Sequence, residues 1–217
     1  MSEASATTVT PQAQARAAGE KDATMRADIV LCGTGGQGTV LASRLLATAA
    51  MQHGLPVKTA ETIGMAQRGG SVFSNVRIGE GVAGPMIGRG RADLLIAFEP
   101  AEAVRQLGFL RPGGTVVASN RAVVPVSAMT GGPAYHLDEV MSYLRTTVDR
   151  LVVVDAADAE RELGSAKVLN VLLLGAAART GAIGFTVEDV SRAMHACVPE
   201  RFWELNDRAL AYSERYV

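Results

Sequence analysis

An apolar run that stops at a glycine and hands over to a helical pattern governs what this chain can become. Residues 28–33, DIVLCG, are apolar after Asp28, which suits a strand covered on both faces. TGGQG follows, then QGTVLASRLLATAAMQHG, where Val40, Leu41, Leu45, Ala49 and Met51 fall close to helical spacing. Gly54 supplies a stop for that helix. LPVKTAE reads as a second strand, so the segment forms a βαβ unit of the right-handed kind that dominates parallel sheets.

The same alternation continues. SVFSNVRIG places Val72, Ser74, Val76 and Ile78 on one face and Phe73, Asn75 and Arg77 on the other, which predicts a half-exposed or edge strand. ADLLIAFE, GTVVASN and RLVVVDA are three further strand-like runs, the second begun by the turn Pro112–Gly114. SAKVLNVLLLGAAARTGAI is apolar nearly all round and predicts a buried or interface helix. Thr186 with Asp189 three residues on marks a helix start, and the last helix carries the single Trp. The expected fold is three-layer α/β: a Rossmann-like, open, mostly parallel sheet with helices on both faces. Residues 1–26 lack large apolar side chains and read as a disordered tail, leaving 27–217 as a single α/β domain.

Composition removes several classes of function. The 21 basic side chains balance 22 acidic ones, so neither a nucleic acid nor an anionic membrane is an expected partner. No apolar run approaches the roughly 20 residues needed to span a bilayer, and the chain reads as cytoplasmic. The two cysteines, Cys32 in a strand and Cys197 near a helix end, are too few for a disulfide framework or an iron–sulfur cluster. His53, His136 and His195 are scattered, and no Ser/His/Asp or metal-ligand spacing stands out, so no catalytic or metal-binding residue is assigned.

Two glycine-dense segments carry the candidate site. Gly33, Gly35 and Gly38 satisfy G-x-G-x-x-G between a strand and a helix, where glycine lets the backbone turn and a phosphate approach the helix start. Glu61 follows near the ~20-residue distance of a ribose-binding acid. A stand-alone NAD(P)-binding oxidoreductase is therefore one reading; a tight turn with close helix packing is the other. Gln37 suits either a ligand phosphate or an adjacent loop. The second segment, ETIGMAQRGGSVFSNVRIG, sets Gln67 and the permanent cation Arg68 among glycines.

Several ordered blocks together, GTGGQGTVLASRLLATAA, GMAQRGGSVFSNVRIG, ADLLIAFEPAEAVR, LRPGGTVV and NVLLLGAAARTG, resemble the gamma-type subunits of 2-oxoacid:acceptor oxidoreductases. The resemblance is to the small subunits of indolepyruvate ferredoxin oxidoreductases above all, and to the gamma subunits of the pyruvate and ketoisovalerate enzymes. Those indolepyruvate enzymes usually carry histidine where this chain has Ile63, which leaves the exact 2-oxoacid open.

What the resemblance implies is an accessory subunit, inactive alone, with no cofactor of its own. Thiamine diphosphate, magnesium, 4Fe-4S clusters and CoA would belong to the complex, in which a large partner subunit decarboxylates a 2-oxoacid and passes electrons to ferredoxin. The glycine loop Gly33, Gly35, Gly36, Gln37 and Gly38 is expected to face a ligand or partner. The loop Gly64, Met65, Gln67, Arg68, Gly69 and Gly70 is expected to face the partner's active site, with Arg68 holding a CoA phosphate or substrate carboxylate. Internal pairing of Arg68 with Glu61 is the competing role, and a non-enzymatic binding module on the same fold is the third reading.

Overall fold

The computed structural model describes residues 25–62, 70–132 and 134–217. Its strands are β1 (Ala27–Thr34), β2 (Val57–Thr62), β3 (Ser71–Ile78), β4 (Ala92–Ala97), β5 (Leu110–Ser119) and β6 (Arg150–Val154). Its helices are α1 (Thr39–Gln52), α2 (Pro100–Gln106), α3 (Leu137–Thr147), α4 (Ala156–Leu163), α5 (Leu169–Arg179), α6 (Val187–Cys197) and α7 (Trp203–Tyr212), with one helical turn at Val126–Met129. The strands form a six-stranded sheet in the order β2-β3-β1-β4-β5-β6. β1, β4, β5 and β6 are parallel, and β3 runs antiparallel to both β1 and β2.

β1 is buried along its whole length, which is why its sequence shows no alternation. Ile29 and Leu31 enter one core with α1 and α4–α7; Val30 and Cys32 enter the other with α2 and α3. Helices thus cover both faces, and the expected three-layer architecture is what forms. α5 is buried from Leu169 to Ala178, as its all-round apolarity predicts. The Thr186 cap is also present: its Oγ1 accepts from the Asp189 amide at 3.2 Å while Asp189 Oδ2 accepts from the Thr186 amide at 2.8 Å.

One expectation fails. SVFSNVRIG is not an edge strand: β3 lies inside the sheet, and β2 takes the edge with most of its residues exposed. The polar residues that suggested exposure find partners within the fold. Arg77 grips the nearly buried Asp28 carboxylate through Nε at 2.8 Å and Nη2 at 3.2 Å, and its Nη1 donates to the Gly84 and Met86 carbonyls. The βαβ unit survives with a strand interposed between its two arms. Residues 1–24 of the expected tail lie outside the described residues. Its last two do not behave as a tail: Met25 packs on the core, and Arg26 stands 3.7 Å from Asp28.

Candidate functional site

After β1 the chain turns to α1 on one face of the sheet; after β4 it turns to α2 on the other. The adjacent carboxyl ends of β1 and β4 are therefore a topological switch point, where open α/β sheets leave a crevice. The glycine loop Gly33–Gly38 forms one side of it and Phe98–Glu99 the other.

Gln37 spans this crevice. Its Oε1 accepts from the Thr34 amide at 2.7 Å, and its Nε2 donates to the Phe98 carbonyl at 3.0 Å. Of the two roles open to it in the sequence, the structure shows the reach to an adjacent loop. Gly33 is what permits this closeness: a Cβ there would stand 2.7 Å from Gln37 Oε1 and 2.8 Å from Phe98 Cβ. The Gly35 amide donates to the Gly70 carbonyl at 2.9 Å, tying the glycine loop to the last residue of the Gly64–Gly70 loop. Gly64, Met65, Gln67, Arg68 and Gly69 lie outside the described residues, as does Ile63.

Two buried carboxylates at the start of α2 were not singled out in the sequence. Glu99, 1% exposed, caps α2 by accepting from the Glu102 amide at 2.9 Å, with Pro100 in the first helical position. Its other oxygen accepts from the Tyr135 hydroxyl at 2.5 Å. Burial, reinforced by this carboxylate, pushes the Tyr135 phenol well above its usual range, so Tyr135 stays a donor. Glu102, 2% exposed, accepts from Ser71 Oγ at 2.6 Å and pairs with Arg105. The cap was legible in FEPAE. Its bonds to Tyr135 and Ser71 were not, because they join distant parts of the chain.

Glu61 does not join the glycine loop as a dinucleotide site requires. The strand next to β1 is β3, so Glu61 ends a strand two places away, roughly 10 Å across the sheet. Its carboxylate accepts from Ser43 Oγ of α1 at 3.1 Å. The dinucleotide reading thus loses Glu61 as its ribose-type acid, while the strand–glycine–helix turn remains.

The thiols do not converge either. Cys32 sits in the core on one face of the sheet and Cys197 against the core on the other. Burial first, then Glu102 and Glu99, raises the Cys32 thiol well above its ordinary value. Among the described residues no group of three or more His, Cys, Asp or Glu side chains could hold a metal ion. No helix among them is long and apolar enough to cross a membrane.

A family model described as pyruvate ferredoxin/flavodoxin oxidoreductase matches residues 28–215. The chain is 41% identical over 187 residues to the indolepyruvate oxidoreductase subunit IorB of Archaeoglobus fulgidus, covering 86% of this chain and 92% of that subunit. It is 36% identical to the subunit of the same name from Thermococcus kodakarensis, covering 84% and 91%. The crystal structure of a keto/oxoacid ferredoxin oxidoreductase gamma subunit from Geobacter sulfurreducens shares the fold with a TM-score of 0.63 at 25% identity, over 89% of this chain and 97% of that one. A match that starts in β1 and runs past α7 takes in the whole described sheet, so this chain belongs to the pyruvate ferredoxin/flavodoxin oxidoreductase family.

Proposed function

We propose that this protein is the accessory, gamma-type subunit of a cytoplasmic 2-oxoacid:ferredoxin oxidoreductase acting on an aryl-pyruvate of the indolepyruvate kind. The observation that carries this reading is the 41% identity to an indolepyruvate oxidoreductase subunit along 92% of that subunit's length. Thiamine diphosphate with magnesium and the 4Fe-4S clusters fall to a larger partner subunit. This chain's two thiols, on opposite faces of the sheet, do not fit a cluster. Bound in the partner, those groups supply carbanion stabilisation and electron transfer to ferredoxin, and CoA takes up the acyl product.

What this chain contributes in this reading is a pair of glycine-dense segments held together. The glycine loop Gly33–Gly38 and the segment ending at Gly70 are fastened by the Gly35–Gly70 bond and braced by Ser71 on Glu102. Both face the partner in this reading. Arg68, on the Gly64–Gly70 segment, holds an anionic group of the incoming CoA or of the substrate carboxylate, for which a planar guanidinium is well suited. Gln67 beside it adds a donor and an acceptor.

Co-expression with the large thiamine-dependent subunit tests the assignment. The expected result is a stable complex that oxidises arylpyruvates with CoA, with neither chain active alone. Turnover by this chain in isolation would overturn it. Within the complex, Arg68→Ala is expected to raise the KM for CoA or for the 2-oxoacid about tenfold or more while the complex still assembles. Unchanged kinetics would remove Arg68 from the site.

A further inference from the structure

We propose that the amino edge of the sheet, which carries Arg26, Arg89, Arg91 and Arg111 together with Met86, is a docking surface for an acidic protein. Parallel pairing sets the start of β1 beside the start of β4, with Leu110 of β5 opposite Ala92. The arginines flanking these starts therefore share one rim, at the end of the strands away from the glycine segments. The rim holds two carboxylates, and both are already engaged. Asp28 is gripped by Arg77, and Asp93 accepts from Arg111 Nε at 2.6 Å and from the Asp28 amide at 2.8 Å. Arg26, 3.7 Å from Asp28, adds a second cation to a carboxylate that one already neutralises. Among the described residues neither Arg89 nor Arg91 pairs with a carboxylate, and both are exposed. Lys58 and Glu80 line one cleft at the outer corner of the rim and offset each other. Arg26, Arg89 and Arg91 are thus left as surplus positive charge on a chain whose net charge is −1.

The surplus is held in place. The Gly90 amide donates to the Gly108 carbonyl at 3.0 Å and the Arg91 amide to the Phe109 carbonyl at 2.9 Å, which fixes the backbone carrying both arginines. The Arg89 guanidinium lies over Gly108, where a Cβ would stand 3.5 Å from its Nη1. Arg77 Nη1 holds the Met86 carbonyl at 3.2 Å, and the Met86 side chain is 57% exposed. An exposed methionine beside pre-set arginines is the composition of a protein interface. The guanidinium fork matches a carboxylate, so the partner that fits is rich in Asp and Glu. Asp93, still part-exposed in the rim, disfavours the unbroken phosphates of a nucleic acid.

This surface lies at the opposite end of the strands from the one used in the subunit assignment, so the two fail separately: co-expression tests that assignment, and a titration tests this surface. The full-length chain is titrated with a labelled glutamate–tyrosine copolymer and with duplex DNA of matched charge, followed by fluorescence anisotropy. The copolymer is expected to bind, more weakly as ionic strength rises. Arg89→Gln combined with Arg91→Gln is expected to lower that affinity about tenfold or more, and Met86→Ser about threefold or more. These side chains are exposed, so the variants are expected to keep the wild-type thermal midpoint. Arg44→Gln combined with Lys167→Gln removes as much exposed charge outside the rim and is expected to leave binding unchanged. No binding by the wild-type chain, equal losses in the two charge-depleted variants, DNA bound as tightly as the copolymer, or wild-type affinity in Met86→Ser overturns the proposal.

Discussion

Gln37 illustrates how much one side chain decides at the switch point. Its amide makes two bonds that no backbone group replaces, and Thr34 is almost fully buried. Gln37→Ala leaves the Thr34 N–H without its acceptor and is expected to cost about 1–3 kcal/mol in chemical denaturation. Gln37→Glu keeps that acceptor but sets an oxygen against the Phe98 carbonyl, so it is expected to be no better than alanine. Equal stability of all three proteins would contradict the geometry. Cys32 offers a second check. With its thiol held neutral by burial and by the Glu102 and Glu99 charges, it should react with a thiol reagent only when the protein unfolds. Labelling of native Cys32 at the rate of an exposed thiol would show that β1 is not where it has been placed. The burial of Cys32 was legible in its apolar run; which loop Gln37 reaches was not. GTGGQG announces a turn, but the Phe98 carbonyl that Gln37 reaches lies just past β4, far along the chain.

At the scale of elements, α6 and β3 behave oppositely. The start of α6 was legible because both members of its capping box lie within one turn. Asp189 has a further role in pH dependence. Burial raises its carboxyl pKa, but the Thr186 amide, His53 and the Thr186 hydroxyl together outweigh it, and the net result is a lowered value. A depressed folded pKa contributes stability above the unfolded value of about 3.9, and that contribution is lost as pH falls through the folded value. Asp189→Asn is therefore expected to lower the denaturation midpoint at pH 7 by an amount corresponding to about 0.5–2 kcal/mol. The gap to the wild type should shrink below pH 4, and a gap constant with pH would contradict the assignment. β3 was misread because its interior partners are remote. Arg77 reaches Asp28 of β1 and the 84–86 carbonyls, and no local pattern signals that pairing. Arg77→Ala leaves the Asp28 carboxylate nearly buried without its main partner and is expected to cost about 3–5 kcal/mol.

For the molecule as a whole, the inserted antiparallel strand separates this sheet from a dinucleotide-binding one. It displaces Glu61 from the switch point, while Gln37 occupies the crevice. Titration with NADH is accordingly expected to show no saturable binding in the micromolar range, and micromolar affinity would restore the dinucleotide reading. The sequence by itself determined whatever depends on contiguous residues. The strand–glycine–helix entrance to the fold, the two-faced burial of β1, the all-round apolar α5 and the α6 cap each follow from backbone preference and periodicity within a few turns. Only the tertiary structure decided where β3 inserts, that Gln37 closes the crevice, and that Asn170 of α5 comes to lie against Gly38. The physical reason is that a polar side chain commits to whichever donor or acceptor the packed faces bring within reach, and sheet order and helix docking settle which faces those are.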